Sequence, residues 1–224
     1  MGSLTIPLIG EAYQALFARY GEQHWWPSKR GARWEIAAGA VLTQNCAWRN
    51  VVLALDNLSA LGVDTPQQLL ALPLDALRAA IRPAGFFMQK SVYLQEVARF
   101  FIEHETEFAS PCAAAELRAR RARLLCVKGV GRETADSILL YAFGQPVFVI
   151  DAYTRRFAER HLCLSGAAAF PYDKIQAIFT DNLPQDTRIY NEYHALIVRL
   201  CKETCRKHAC DCFLPLAVQG EMGV

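Results

Sequence analysis

The sequence predicts an all-helical protein with short connections, and three observations lead to this fold class. Apolar residues recur between Trp48 and Leu58 at intervals of three and four, the spacing of one helix face. Thr65 precedes Pro66, a pair typical of a helix start. The run PVFVI at 146–150 is the one convincing strand candidate. Because a single short run cannot form a sheet, we expect it to be a buried connector.

The predicted helices follow one another along the chain. After the helices beginning near Trp48 and Thr65, a break at 83–85 (PAG) ends the next short helices. Further helices are expected at 113–123, 134–143, 152–160, 173–182 and 186–205.

The composition excludes several classes of protein. With 53% apolar and 21% charged residues among 224, the chain has the composition of a folded globular protein. It has no apolar stretch long enough to span a membrane and no pattern of a secretory signal, so a cytoplasmic location is expected. The net charge of +2 does not by itself indicate nucleic acid, so a DNA-binding face must come from local clustering.

Residues 124–138, LLCVKGVGRETADSI, contain a glycine-rich corner between two helices. Gly129 and Gly131 allow positive φ and let backbone N–H groups point outward, an arrangement that binds an anion such as phosphate. Lys128 and Arg132 flank the corner. The alternative is an ordinary helix–turn–helix corner with a solvated basic face.

Asp151 is the candidate catalytic residue. It follows the apolar run 146–150 at the expected start of a helix, where a carboxylate is partly desolvated. The alternative role for Asp151 is a helix N-cap, and one side chain can serve both purposes.

The pattern LxxVxGVGRxTAxxI, followed by an apolar run and VxDxYxxR, resembles the helix-hairpin-helix (HhH-GPD) DNA glycosylase superfamily of the endonuclease III type. The resemblance extends to LTQN at 42–45, GFFMQK at 85–90 and NEYHALIVRL at 191–200. It implies an enzyme that binds double-stranded DNA containing a damaged base, acts as a monomer, and rotates the damaged nucleotide out of the helix.

The resemblance also implies the domain organisation and the roles of several residues. A six-helix domain at 30–145 would end in the hairpin, and residues 1–29 with 146–224 would form a second helical domain, with the active-site cleft between them. Backbone amides of Gly129 and Gly131 would hold phosphates.

Two further residues are assigned to DNA through the same resemblance. Gln44 would enter the space left by the flipped nucleotide, although a helix cap is the alternative. Lys90, with the loop 83–88, would contact the DNA backbone or wedge the base stack. His194 is expected to be a packed histidine.

Glu133 stands where bifunctional members of the family carry a lysine nucleophile. Because a carboxylate cannot form the imine, the resemblance implies hydrolysis of the N-glycosidic bond without β-lyase strand cleavage. Asp151 would stabilise the oxocarbenium-like sugar and position or deprotonate the attacking water.

The segment HWWP places Trp25 and Trp26 before Pro27. Together with the absent lysine, it resembles the 3-methyladenine DNA glycosylase branch, in which aromatic faces would stack on a cationic alkylated purine. The alternative is that one tryptophan packs in the core and the other staples the N-terminal helix. Trp48 is either another wall of the base pocket or a core residue.

Four cysteines crowd near the end of the chain, at Cys201, Cys205, Cys210 and Cys212. Many family members hold a [4Fe-4S] cluster with the spacing C-x6-C-x2-C-x5-C, whereas this chain has C-x3-C-x4-C-x-C. Three outcomes stay open, namely a cluster, a folded tail without a cofactor, and zinc.

The predicted function is a monofunctional DNA glycosylase of base excision repair, directed at alkylated purines such as 3-methyladenine. One alternative is a glycosylase for uracil, thymine mismatches or oxidised pyrimidines. The other is a DNA-binding homologue without catalysis.

Overall fold

A computed structural model describes residues 7–28, 32–162 and 164–214. Over these residues the chain forms eleven α-helices and one small antiparallel sheet, which confirms the all-helical prediction. The helices are α1 (Pro7–Tyr20), α2 (Arg33–Leu42), α3 (Trp48–Ala60), α4 (Pro66–Ala71), α5 (Leu74–Ala80), α6 (Phe87–Ala109), α7 (Ala114–Leu125), α8 (Arg132–Ser137), α9 (Ala152–His161), α10 (Tyr172–Thr180) and α11 (Thr187–Glu203). The strands are β1 (Cys205–Arg206) and β2 (Ala209–Cys210). None of the described helices has the length and apolar character needed to cross a lipid bilayer.

The chain divides into two compact units. The first unit comprises the residues up to Trp25 and those from Pro146 onward, and the second unit comprises Trp26 to Gln145. The predicted boundaries were 29/30 and 145/146.

Helix α2 forms the centre of the second unit. Every residue from Trp34 to Leu42 is buried, so this helix is covered on all sides. It packs against α6 and against the π-helical turn Ile138–Ala142 that continues α8. The end of α2 therefore provides a fixed base for the loop that follows it.

The run 146–150 belongs to the first unit and is a buried connector, as expected. Its backbone is hydrogen-bonded by side chains of α10 instead of by a neighbouring strand. The amide of Gln176 donates to the Phe148 carbonyl at 2.7 Å, and the Ile150 N–H donates to the Tyr172 hydroxyl at 3.1 Å. These bonds satisfy polar groups that burial would otherwise leave unpaired.

Candidate active site and metal centre

Helices α7 and α8 are joined by the glycine-rich hairpin 126–131. Gly129 has a φ of +86°, and a Cβ at this position would overlap the ring of Tyr93. Only glycine therefore fits. Gly131 differs from the prediction, because its backbone is extended (φ −88°, ψ 179°) and an added Cβ would meet open space.

A buried ion pair fastens the two helices of the hairpin together. Arg121 Nε and Nη2 lie 2.6 and 3.0 Å from the two carboxylate oxygens of Asp136, whose side chain is fully buried. This bidentate geometry fixes the angle between α7 and α8. Arg121, on the helix before the hairpin, is accordingly not part of a solvated basic face.

Gln44 lies against the hairpin. Its amide nitrogen donates to the Gly129 carbonyl at 2.9 Å and to the Thr134 hydroxyl at 2.9 Å. The next residue, Asn45, has a φ of +50°, a conformation that non-glycine residues seldom adopt. The loop after α2 is thus held beside the hairpin, while insertion of Gln44 into DNA stays a prediction.

Lys90 is not placed to contact DNA, and this part of the prediction is corrected. The side chain is buried, and Nζ donates to the carbonyls of Leu42 and Ala84, each at 2.8 Å. Burial lowers the pKa of its ammonium group. Because its partners lie on two different segments, Lys90 ties the end of α2 to the turn that precedes α6.

The turn that Lys90 holds presents exposed apolar side chains. Phe86 is 63% exposed and has a φ of +46°, and Met88 is 52% exposed. A phenylalanine at positive φ with its ring in solvent contributes little to a core, and such strained positions cluster at functional sites. Lys128, Arg132 and Glu133 are also exposed at the hairpin.

The two adjacent tryptophans have different surroundings. Trp26 packs edge-to-face on Trp48, with ring centres 5.0 Å apart, and lies 5.3 Å from the ring of Tyr141. Trp26 and Trp48 are both half-buried, and Pro27 is exposed. Trp25 instead lines a groove of about 510 Å³ in the first unit, together with Tyr13, Phe17 and acidic residues.

Asp151 is the N-cap of α9. Its Oδ1 accepts hydrogen bonds from the backbone N–H and the hydroxyl of Thr154, at 2.7 and 2.9 Å. Oδ2 lies 3.6 Å from Nε2 of His194, which is buried in α11. One carboxylate oxygen is therefore fixed by the helix start, and the other faces an imidazole.

These contacts set the charge state of Asp151. Burial alone would raise the pKa of its carboxyl group, but attraction to His194, with the two hydrogen bonds of Thr154, outweighs burial and lowers the pKa below its ordinary value. The carboxylate is therefore ionised at neutral pH. His194 is buried as expected, but its place beside Asp151 had no signal in the local sequence.

The cysteine-rich segment forms a group of metal-binding donors that only partly matches the prediction. The strand pairing sets Cys205 opposite Cys210. Sulfur atoms of Cys205, Cys210 and Cys212 and a ring nitrogen of His161 all lie within 4.8 Å of one another. Cys201 is not one of this group, and its sulfur lies 3.7 Å from the Tyr153 carbonyl.

The donor group does not fit a [4Fe-4S] cluster. A cube binds each protein ligand through a different iron, which keeps the donors well apart. Here Nε2 of His161 lies 3.4, 3.9 and 3.5 Å from the sulfurs of Cys205, Cys210 and Cys212. Donors around one tetrahedral ion, with bonds of about 2.0–2.3 Å, are about 3.5–3.8 Å apart. The sulfurs of Cys210 and Cys212 are 3.0 Å apart and all four donors lie within 4.8 Å of one another, so the group is closer to the spacing around a single ion than to that around a cube.

Comparison with known proteins agrees with this architecture. Residues 38–185 match the HhH-GPD superfamily of base excision DNA repair proteins. The "Putative DNA repair glycosylase MJ1434" of Methanocaldococcus jannaschii is 44% identical over 207 residues, covering 91% of this chain and 92% of the relative. The chain belongs to the HhH-GPD superfamily.

Two solved structures share the fold at low sequence identity. A trapped endonuclease III–DNA covalent intermediate has a TM-score of 0.78 at 20% identity, covering 95% of this chain and 94% of the other. The Helicobacter pylori 3-methyladenine DNA glycosylase bound to 1,N6-ethenoadenine has a TM-score of 0.70 at 24% identity, covering 88% and 96%. The chain therefore has the endonuclease III type of fold.

Proposed function

We propose that the protein hydrolyses the N-glycosidic bond of a damaged nucleotide, with Asp151 as its catalytic carboxylate. The observation that carries this proposal is the setting of Asp151, which is held by Thr154 and faces His194. As the base leaves, positive charge develops on the sugar. A fixed, ionised carboxylate is oriented before the reaction begins and stabilises that charge.

The lowered pKa of Asp151 favours one of its two predicted roles. A carboxylate with a low pKa is a weak base, so removal of a proton from water contributes less than electrostatic stabilisation of the sugar. The attacking water would be oriented by Asp151 and, after the glycosidic bond has largely broken, would lose its proton to solvent water. This order of events suits a base that is itself a good leaving group.

The proposed reaction leaves the DNA strand intact. Glu133 is exposed in the first turn of α8 and offers no amine for attack on the sugar. Borohydride should therefore trap no covalent adduct between the protein and damaged DNA. Glu133→Lys should create a trappable adduct, and Glu133→Gln is the matched control without an amine. An adduct with the unmodified protein would contradict the monofunctional assignment.

For the substrate we propose alkylated purines. The half-buried rings of Trp26 and Trp48 offer aromatic faces and edges at one place in the second unit. A cationic alkylated base gains about 0.5–2 kcal/mol against such a ring and leaves readily because it departs neutral. Trp25, also predicted to line the base pocket, lines the groove of the first unit, so it supports the substrate assignment only through the HWWP resemblance.

For DNA we propose that the second unit grips the backbone and opens the stack. The hairpin with Lys128 and Arg132 would bind phosphates without reading the sequence. Gln44 joins the loop after α2 to the hairpin through its hydrogen bond to Gly129. Lys90 joins the end of α2 to the turn before Phe86 through its hydrogen bonds to Leu42 and Ala84. Phe86 would wedge between bases while Gln44 fills the vacated space.

The deciding experiment measures which bases are released. The purified protein is incubated with DNA treated with a methylating agent and with duplexes containing uracil, a thymine mismatch or an oxidised pyrimidine, and released bases are identified by mass spectrometry. We expect 3-methyladenine to be released by the unmodified protein and far more slowly by Asp151→Asn. Release of uracil or thymine alone would overturn the substrate assignment, and binding without any release would overturn the enzymatic one.

A further inference from the structure

We propose that His161, Cys205, Cys210 and Cys212 bind one structural zinc ion, in place of the iron–sulfur cluster common in this superfamily. The structure brings these four donors together, three from the segment 205–212 and one from α9. It does not depend on which base the enzyme removes.

The chemistry of the donor set points to zinc. Three thiolates and one imidazole form the Cys₃His set of closed structural zinc sites, in which no position is left for water or substrate. His161 Nε2 lies 3.4–3.9 Å from the three sulfurs, which is close to the edge length of a tetrahedron around one ion. A cube of four irons would need a fourth distant thiolate, and Cys201 is not among the grouped donors.

The backbone holds this donor set through regular structure. The strands β1 and β2 set Cys205 directly across from Cys210, and Cys212 follows two residues later. His161 is the last residue of α9. Two of the four donor residues, His161 and Cys205, are buried. The site therefore needs only small adjustments to close around an ion.

Cationic side chains surround the donors, as expected for a site with excess negative charge. Three thiolates and a divalent ion leave a net charge of −1. Arg160 donates to the Cys205 sulfur at 3.4 Å and to the carbonyls of Arg206 and Lys207 at 2.7 and 2.9 Å. Arg156 donates to the Cys205 carbonyl at 2.9 Å. Such outer contacts orient metal ligands and stabilise thiolate charge.

The ion would connect the segment 205–212 to α9, the helix that begins after Asp151. Helix α9 begins after Asp151 and ends at His161, ten residues or about 15 Å later. Fixing its last residue to the β1–β2 hairpin would restrain the whole helix. Removal of the ion should therefore loosen the C-terminal segment first, and the setting of Asp151 second.

The test measures metal content in the full-length protein and in matched variants. We expect one zinc per chain, and at least a tenfold loss of zinc affinity in His161→Ala and Cys210→Ser. Cys201→Ala is the control, because it removes a buried cysteine beside the site without removing a donor. Loss of metal in Cys201→Ala with retention in His161→Ala would overturn the proposal.

A second measurement avoids variants that fail to fold. The unmodified protein, purified with cobalt in place of zinc, should show the intense visible bands of tetrahedral cobalt bound by thiolates, in a ratio of one cobalt per chain. A brown protein with about four irons per chain would overturn the proposal. So would a protein that binds no zinc after anaerobic reconstitution.

Discussion

At the scale of single residues, Asp151 has an observed structural role as the N-cap of α9 and a proposed chemical one. We predict that Asp151→Asn slows excision by about 10²–10³, because the electrostatic contact with the developing cation is lost. The asparagine oxygen can still accept from Thr154, so α9 should keep its N-cap and DNA binding should persist. Single-turnover rates and binding titrations measure the two effects. An unchanged rate would remove Asp151 from the mechanism.

His194 should control the acid limit of the reaction. We predict that His194→Gln raises the pKa of Asp151, since attraction to His194 helps to lower it. The acid limb of the rate–pH profile should therefore shift to higher pH. In the unmodified protein we expect the limb to lie below the ordinary aspartate value of about 3.9. Because the pKa of Asp151 is lower in the folded protein than in the unfolded chain, its carboxylate also stabilises the fold above a pH of about 3.9. This stabilisation is lost as the pH falls through the pKa of the folded protein.

The control for this pH experiment is Tyr153→Phe. Tyr153 is also electrostatically coupled to Asp151, but its phenol is neutral throughout the acid range. The variant should leave the acid limb in place. An equal shift in both variants would mean that packing around Asp151, and not the imidazole, determines its titration.

Lys90 illustrates a charged residue whose role is internal. We predict that Lys90→Met lowers the free energy of unfolding by about 1–3 kcal/mol, because the carbonyls of Leu42 and Ala84 lose their donor. Lys128→Met, at an exposed position, should change stability by less than about 0.5 kcal/mol. Urea denaturation measures both. Equal stability of the two variants would contradict the clamping role of Lys90.

At the scale of elements, the hairpin depends on one of its two glycines for its shape. We predict that Gly129→Ala is destabilising, since its Cβ would overlap the ring of Tyr93 and its φ is positive. Gly131→Ala should be tolerated, because the backbone there is extended and the space is open. Thermal unfolding of the two variants provides the comparison. Similar losses in both would show that the hairpin needs flexibility and not a specific close approach.

At the scale of the whole molecule, a net charge of +2 implies that DNA affinity comes from few cations. We predict that Lys128→Ala reduces the slope of log K against log salt by about 0.9, the effect of one lost phosphate contact. Arg118→Ala removes the same charge from an exposed site on α7 and should leave the slope unchanged. Binding titrations over a range of salt concentrations test this difference.

The sequence could predict whatever depends on neighbouring residues. The positive φ of Gly129, the helix that starts at Asp151 and the connector at 146–150 follow from local patterns, whereas the backbone at Gly131 is extended. The burial of Lys90 could not be predicted, because its two carbonyl partners are brought together by tertiary packing. His161 was missed for the same reason, since it lies 44 residues before the first tail donor, Cys205.

The π-helical turn Ile138–Ala142 sets the direction in which the side chains of α8 point around the helix axis. Its i→i+5 bond, from Phe143 N–H to the Ile138 carbonyl, encloses one residue more than an α-helical turn. An α-helix rotates by about 100° per residue. Deleting one residue from this turn would therefore swing the Glu133 face by roughly a quarter turn relative to Tyr141, which is held against Trp26. A change of length here acts as a rotation of the exposed Glu133 face of α8.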